Sequence, residues 1–235
     1  MKAELIVALD FPDRVDALAL VDRLGGDARF FKVGLELFTR AGPGVVEELR
    51  ERGRRVFLDL KLHDIPHTVA GAARAAAEMG VGLLTVHASG GRRMIEAARS
   101  AVEGSETRVL GVTILTSLSA AELGESWNRQ GVSPAEEVAR LADLALAAGA
   151  HGVVASPEEA GELRDRMGPS GLIVTPGIRL AGDDVGDQVR TATPDAAVRA
   201  GADFLVVGRS ITRASDPAAA YARVIEAMNQ GVGVV

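Results

Sequence analysis

Val56-Phe57-Leu58-Asp59-Leu60-Lys61 is a nearly continuous apolar run that ends in charged residues and leads into Leu62-His63-Asp64. An apolar run without strict alternation is typical of a parallel strand that is covered by helices. An ionisable side chain at the end of such a strand is costly unless it is paired or used. The stretch therefore predicts a buried strand whose last residues belong to a functional site.

Seven other β-rich apolar runs recur along the chain, and a helix-like stretch follows each of them. The eight runs are 5–10, 30–34, 56–61, 83–87, 109–115, 152–156, 172–177 and 204–208. Eight β/α units without a break in composition predict a single-domain (β/α)8 TIM barrel over residues 1–235. An open doubly wound sheet is the alternative, but it usually has a glycine-rich turn after its first strand, which this chain lacks.

Helix boundaries are indicated by amphipathic, alanine-rich stretches such as 68–79 and 135–148. Asp13, Ser133 and Ser156 are predicted to cap helices because each has a cap-forming side chain, and Ser133 and Ser156 directly precede proline. Helices are also expected to stop at Gly80, Gly149 and Gly201.

Composition excludes several classes of protein. The chain has 235 residues, a net charge of −6 and no cysteine. A net negative charge argues against a nucleic-acid partner, and the lack of cysteine excludes disulfides and thiolate metal sites. No apolar run approaches the roughly 18 residues of a membrane span, and no signal peptide is visible at the start. We therefore expect a cytoplasmic protein with no membrane or nucleic-acid partner.

Lysine is rare in this chain. The 26 basic residues include only three lysines, Lys2, Lys32 and Lys61, and the rest are arginine. A lysine in such a chain is expected to do what arginine does badly, such as fitting a tight site or giving up a proton.

Charged residues end the first three predicted strands: Asp10, Lys32, and Asp59 with Lys61. The active site of this fold forms at the carboxyl ends of the strands, so these side chains should converge. Asp59 and Lys61 are two residues apart and should share one face of their strand. Structural ion pairs are the alternative explanation for each residue singly, but four alternating charges at one mouth favour a site.

A phosphate site is predicted where strands seven and eight end. Strand seven leads into Thr175-Pro176-Gly177-Ile178-Arg179 and strand eight into Gly208-Arg209. Barrels of this kind often bind phosphate at this position. Two long connections, 116–133 and 178–193, are candidate lids.

The segment from Asp59 to Pro66, Asp-Leu-Lys-Leu-His-Asp-Ile-Pro, resembles the characteristic motif of the orotidine 5′-phosphate decarboxylase family, in its bacterial form. The resemblance extends along the chain through Ala8-Leu9-Asp10, Phe31-Lys32-Val33-Gly34, Val86-His87-Ala88, Leu115-Thr116-Ser117, Val174-Thr175-Pro176-Gly177-Ile178-Arg179, Asp187-Gln188-Val189-Arg190 and Val207-Gly208-Arg209-Ser210. It implies a TIM-barrel enzyme that converts orotidine 5′-monophosphate to UMP and carbon dioxide without a metal or other cofactor.

The resemblance implies roles for the charged residues. Lys61 is expected to protonate C6 of the pyrimidine, and Asp59 to lie against the substrate carboxylate. Asp10 and Lys32 are expected to bind the ribose hydroxyls and to hold the charge array, and the resemblance counts Lys32 with Lys61, Asp59 and Asp64 among the catalytic residues. Asp64 is expected to reach the site of a partner subunit, which implies a homodimer with a shared active site.

The other implied contacts bind the substrate. One of Thr116, Ser117 and Ser119 is expected to face the pyrimidine, and Gln188, in the connection after strand seven, to close over the ligand. The full set of implied substrate-binding residues is Asp10, Lys32, Asp59, Ile65, Thr68, Thr116, Pro176, Arg179, Gln188, Gly208 and Arg209.

Two other functions fit parts of the pattern. Metal-dependent 3-keto-gulonate-phosphate decarboxylases and hexulose-phosphate synthases share the Asp-x-Lys-x-x-Asp segment, but they have a carboxylate where this chain has Lys32, whose charge would repel the metal. A catalytically inactive scaffold barrel is the other alternative, but it would be expected to have lost part of the charged array.

Overall fold

Eight parallel strands form a closed barrel in the computed structural model, which describes residues 3–180 and 190–232. They pair in chain order and the last pairs with the first. They are β1 (Glu4–Ala8), β2 (Phe30–Gly34), β3 (Arg55–Leu62), β4 (Leu83–His87), β5 (Arg108–Val112), β6 (Gly152–Val154), β7 (Leu172–Thr175) and β8 (Phe204–Val207). The predicted (β/α)8 barrel is confirmed, and an open sheet is excluded because every strand has two neighbours.

Helices surround the barrel. They are α1 (Arg14–Leu24), α2 (Leu35–Ala41), α3 (Gly44–Glu51), α4 (Pro66–Glu78), α5 (Arg92–Ala101), α6 (Ala120–Trp127), α7 (Pro134–Ala147), α8 (Ala160–Met167), α9 (Pro194–Arg199), α10 (Arg209–Thr212) and α11 (Pro217–Gly231), with short 3-10 turns at Ala88–Gly90 and Gly168–Ser170. None of the helices in the described residues combines the length and apolar character that crossing a membrane requires.

Two of the predicted helix caps are confirmed and one is wrong. The Asp13 and Ser133 side chains accept hydrogen bonds from the backbone N–H groups of Val15 and Glu136. Ser156 does not cap a helix, and α8 begins four residues after it. The reason is that its buried hydroxyl donates to the Glu159 carboxylate instead.

Several strands end earlier than their apolar runs. The runs 5–10 and 109–115 outlast β1 and β5 by two and three residues. Ile114 lies beyond β5 and is nevertheless almost fully buried, because it packs in the hydrophobic core beneath the cavity wall to which it contributes. Apolar content therefore marks burial at these positions and not strand pairing. The connection 116–133 also contains a helix, α6, which starts with a capping box between Ser119 and Glu122.

The side chains inside the barrel change from apolar to charged along β2 and β3. The lower layer is apolar and includes Phe30, Phe57 and Phe204, with Phe30 and Phe204 in edge-to-face contact. Two residues further along β2 and β3 the same inward direction carries Lys32 and Asp59. The apolar layer closes the barrel from below and supports the charged residues at its mouth.

Candidate active site

A cavity of about 680 Å³ opens at the carboxyl ends of the strands, within the usual size of a small-molecule site. Phe57 and Val206 are among the apolar residues in its wall, and polar groups surround them. The predicted site residues that line it are Asp10, Lys32, Asp59, Lys61, Thr116, Pro176, Arg179, Gly208 and Arg209.

The four strand-end charges form one connected array. Lys32 Nζ lies 2.8 Å from Asp10 Oδ1 and 3.8 Å from Asp59 Oδ2. Lys61 Nζ lies 3.0 and 2.9 Å from the two carboxylate oxygens of Asp59. The side chains of Lys32 and Asp59 are 12% exposed, whereas that of Asp10 is 63% exposed. The array thus runs from the rim into the buried centre with its charges alternating.

Asp59 is held as a carboxylate. Burial opposes its ionisation, but the charges of Lys61 and Lys32, with hydrogen bonds from Lys61 and Thr85, outweigh that effect and keep the pKa of Asp59 below its usual value. A fixed negative charge therefore lies beside the Lys61 ammonium.

Lys32 occupies the space between two carboxylates. A divalent cation bound by Asp10 and Asp59 together would need the position that Lys32 Nζ takes. In the described parts of the chain, no group of three or more histidine, aspartate or glutamate side chains is arranged to hold a metal ion.

The backbone of Lys61 departs from the regular strand that the sequence predicted. Its φ angle is 49°, a left-handed conformation that only one other non-glycine residue among those described adopts, Asn128 at the end of α6. The pairing between β3 and β4 shifts register at the same point. Lys61 and Asp59 do meet, as expected, but through an irregular backbone of the kind found at functional sites.

Arginine side chains lie in the part of the cavity wall that follows β7 and β8. Arg179 and Arg209 were predicted there, and Arg213 and Thr212 line the same wall although sequence reasoning missed them. Helix α10 has only four residues and therefore a small dipole. The positive charge in this part of the wall comes mainly from the arginine side chains. Gly177 has a φ angle of 77°, a conformation that favours glycine, and it turns the chain from β7 into this wall.

The hydroxyl groups expected at the pyrimidine end separate into two sets. Thr116 and Ser117 line the cavity. Ser119 caps α6, where its hydroxyl donates to the Glu122 side chain and accepts from the Glu122 backbone N–H. Of these three residues, Thr116 and Ser117 are the two that lie in the cavity wall.

Three predicted site residues lie outside the cavity of their own chain. Asp64, Ile65 and Thr68 are exposed and are absent from the cavity wall. The Asp64 carboxylate accepts a hydrogen bond from the Ile65 N–H at 2.6 Å, and Ile65 is 65% exposed. The structure of one chain leaves them on its outer surface.

Gln188 lies outside the described residues, as does most of the predicted lid. The two ends of that connection are nevertheless joined, because Ile178 and Ala192 form a β-bridge. Just after the undescribed part, Arg190 is buried and paired with the buried carboxylate of Glu159. It also donates to the Leu115 carbonyl at 3.2 Å, next to the cavity residue Thr116. The pairing of Arg190 with Glu159 was not predicted from the sequence.

A family model described as "Orotidine 5′-phosphate decarboxylase / HUMPS family" matches residues 3–224. The orotidine 5′-phosphate decarboxylase of Halorhodospira halophila is 58% identical over 94% of this chain and 93% of that protein. The enzyme of the same name from Moorella thermoacetica is 52% identical over 96% and 92%.

Solved structures agree with the sequence comparisons. The crystal structure of orotidine 5′-phosphate decarboxylase from Lactobacillus acidophilus has a TM-score of 0.86 and 40% identity over 97% of this chain and 99% of that one. The one from Pyrococcus horikoshii OT3 has a TM-score of 0.77 and 26% identity over 98% and 100%. This chain, with a closed barrel and a charged array at its mouth, belongs to the orotidine 5′-phosphate decarboxylase / HUMPS family.

Proposed function

We propose that this chain converts orotidine 5′-monophosphate to UMP and carbon dioxide, without a metal or other cofactor. The observation that carries the proposal is the Asp10, Lys32, Asp59 and Lys61 array in a cavity whose wall also contains arginines. The relatives named above, which carry this activity in their names over nearly their whole lengths, support it.

Lys61 is the proposed proton donor. When the bond between C6 and the carboxylate carbon breaks, its electron pair stays on C6 and carbon dioxide leaves. The Lys61 ammonium then gives a proton to C6, which completes UMP. A cation fixed where negative charge develops needs little reorganisation during the reaction, and such preorganised charges usually make the largest contribution to catalysis.

Asp59 is proposed to lie against the substrate carboxylate. The carboxyl is buried and ionised, so two negative charges would face each other in the bound substrate. That repulsion is relieved as neutral carbon dioxide departs. Asp10 and Lys32 are proposed to bind the ribose hydroxyls, and their ion pair at 2.8 Å also keeps Lys32 beside Asp59.

The remaining contacts are proposed to supply binding energy. Arg179 and Arg209, with Gly208, would bind the phosphate, while Pro176 and one of Thr116 and Ser117 would contact the pyrimidine. We also propose that the connection 178–193 acts as a lid and that Gln188 closes over the ligand. Energy from the distant phosphate can then be used to position the reacting ring.

A homodimer with a shared active site is part of the proposal. Asp64, Ile65 and Thr68 are exposed and lie off their own cavity, which suits residues that complete the site of a neighbouring subunit. A cytoplasmic location is proposed on the sequence alone.

The proposal is tested by adding purified protein to orotidine 5′-monophosphate and following the ultraviolet absorbance of the pyrimidine, with and without EDTA. We expect stoichiometric formation of UMP at the same rate in both samples. Loss of activity in EDTA that Mg²⁺ restores would favour the metal-dependent decarboxylases and synthases. No turnover under either condition would favour an inactive scaffold.

A further inference from the structure

The pairing of β3 with β4 is interrupted at the catalytic array. Leu58 pairs with Leu84 and Leu62 pairs with Val86. Asp59, Leu60 and Lys61 therefore lie opposite a single residue of β4, Thr85. Extra residues in one strand leave backbone groups without their ladder partners and bend the strand, so something else must hold this segment in place.

The Thr85 hydroxyl meets that need with two hydrogen bonds. It accepts one from the Lys61 backbone N–H at 2.9 Å and donates one to Asp59 Oδ1 at 2.9 Å. Thr85 is fully buried, so water does not compete for the hydroxyl. One oxygen atom thus joins the backbone of the proposed proton donor to the carboxylate beside it.

The two bonds constrain the Lys61 backbone and the Asp59 carboxylate. The left-handed conformation of Lys61 is unfavourable for a residue with a side chain, and it persists only where its surroundings over-determine it. The bond to the Lys61 N–H supplies such a constraint. The bond to Asp59 Oδ1 fixes the carboxylate plane while the Lys61 ammonium contacts both carboxylate oxygens.

We propose that Thr85 is a positioning residue for the decarboxylation, which sets the orientation of Asp59 and the backbone of Lys61 through its hydroxyl. This inference rests on the proposed function. Thr85 is absent from the cavity wall, so it acts through these two residues and not through the substrate. Its bond to Asp59 also contributes to the lowered pKa of that carboxyl.

The central test is Thr85→Val, which keeps the shape of the side chain and removes the hydroxyl. We expect kcat to fall by at least about tenfold, because the reacting groups lose their alignment, while KM changes by less than about threefold because the phosphate contacts remain. Thr85→Ser, which keeps the hydroxyl, should recover most of the lost kcat.

Thr107→Val is the matched control. Thr107 is also buried and its hydroxyl also makes a hydrogen bond, to the Val81 carbonyl at 2.7 Å, but it lies just before β5, at the opposite end of the barrel from the cavity. It reports what the loss of a buried threonine hydroxyl does to the fold alone, and its kcat should match that of the wild type.

A pH profile separates positioning from a general loss of structure. Without the Thr85 bond the pKa of Asp59 should rise, so the acid limb of kcat should move to higher pH in Thr85→Val and stay in place in Thr107→Val. If Thr85→Val does not fold, Thr85→Ala and Thr85→Ser are compared in the same way, since both lack the branched methyl and differ by the hydroxyl.

The proposed function and the positioning role of Thr85 are overturned by different results. A wild-type protein without turnover would overturn the proposed function and this inference with it. An active wild type whose Thr85→Val variant matches Thr107→Val in kcat and in its acid limb would overturn the positioning role and leave the proposed function intact.

Discussion

The Lys61 ammonium lies 2.9 Å from Asp59 Oδ2 and 3.0 Å from Asp59 Oδ1, so the lysine bridges both oxygens of a buried carboxylate. A charge-assisted contact of this kind is short and directional. It orients the proposed proton donor before substrate binds, and Lys32 Nζ lies 3.8 Å from the same Oδ2 atom.

Lys61→Ala should abolish turnover while phosphate-containing ligands still bind, because the arginines of the cavity wall are unchanged. A loss well beyond tenfold is expected, where tenfold corresponds to about 1.4 kcal/mol of activation free energy. Single-turnover rates and UMP binding by calorimetry measure the two effects separately.

Lys61→Arg is the matched variant for the same prediction. It keeps the positive charge but holds its proton too tightly to deliver it, so it should also be nearly inactive. Turnover of Lys61→Ala within about tenfold of the wild type would contradict the proton-donor role.

A shared active site predicts complementation between two inactive variants. Asp64→Asn should inactivate the active site of the partner subunit, to which Asp64 contributes. Lys61→Ala should inactivate the active site of its own subunit. In a hybrid dimer of the two, one site combines an intact Lys61 with an intact Asp64. Coexpression in equal amounts should therefore restore about a quarter of the wild-type sites if subunits pair at random in a symmetric dimer.

The separately purified variants, assayed singly, are the controls for that experiment, and light scattering gives the oligomeric state. A coexpressed sample that is dimeric and still inactive would indicate that Asp64 acts in the active site of its own subunit. A monomer in solution would exclude the shared site altogether.

Arg209→Ala should weaken recognition of the phosphate specifically. Hydrogen bonds to charged groups contribute about 1.5–3 kcal/mol, so kcat/KM for orotidine 5′-monophosphate should fall by roughly ten- to a hundredfold. The nucleoside orotidine, which has no phosphate, should be affected much less. Arg223→Ala, an exposed arginine of α11, is the control for general charge. An equal loss with both substrates would argue against phosphate binding by Arg209.

His151 should make stability depend on pH below neutrality. Burial, followed by the charges of Arg99 and Arg108, lowers the pKa of His151 to about 4 from an ordinary 6.5, and its Nδ1 accepts the Val109 N–H at 2.9 Å. The unfolded chain therefore binds a proton more readily between these two pH values. The contribution of neutral His151 to the free energy of unfolding is complete above pH 6.5 and is lost as the pH falls toward 4.

His151→Asn, whose side-chain oxygen can replace Nδ1 as the acceptor, should show a smaller fall of Tm between pH 6.5 and 4 than the wild type. His67→Asn, at an exposed position of α4, should follow the wild type. Parallel pH curves for His151→Asn and the wild type would show that another group controls the acid sensitivity. Calorimetry over this range measures all three proteins.

Strand order and most of the charged residues of the cavity wall could be predicted because they depend on short-range patterns. The apolar runs define eight strands, and parallel strands in a closed barrel bring their carboxyl ends to one rim. Once the strand ends were located, the convergence of Asp10, Lys32 and Asp59 followed from topology. The exact strand lengths could not be predicted from the sequence, because an apolar residue buried at the cavity wall resembles one buried in a strand. The helix in the connection 116–133 was not predicted either.

The sequence by itself determined that this chain is a (β/α)8 barrel with alternating charges at its mouth, since side-chain period and strand ends are local properties. Tertiary structure alone decided how Lys61 is held, because its left-handed backbone donates a hydrogen bond to a threonine 24 residues away. It also decided that Arg190 is paired with Glu159, 31 residues away, and that Arg213 reaches the cavity. Contacts between distant residues depend on how strands register and loops fold against each other, and neither is encoded in a local pattern.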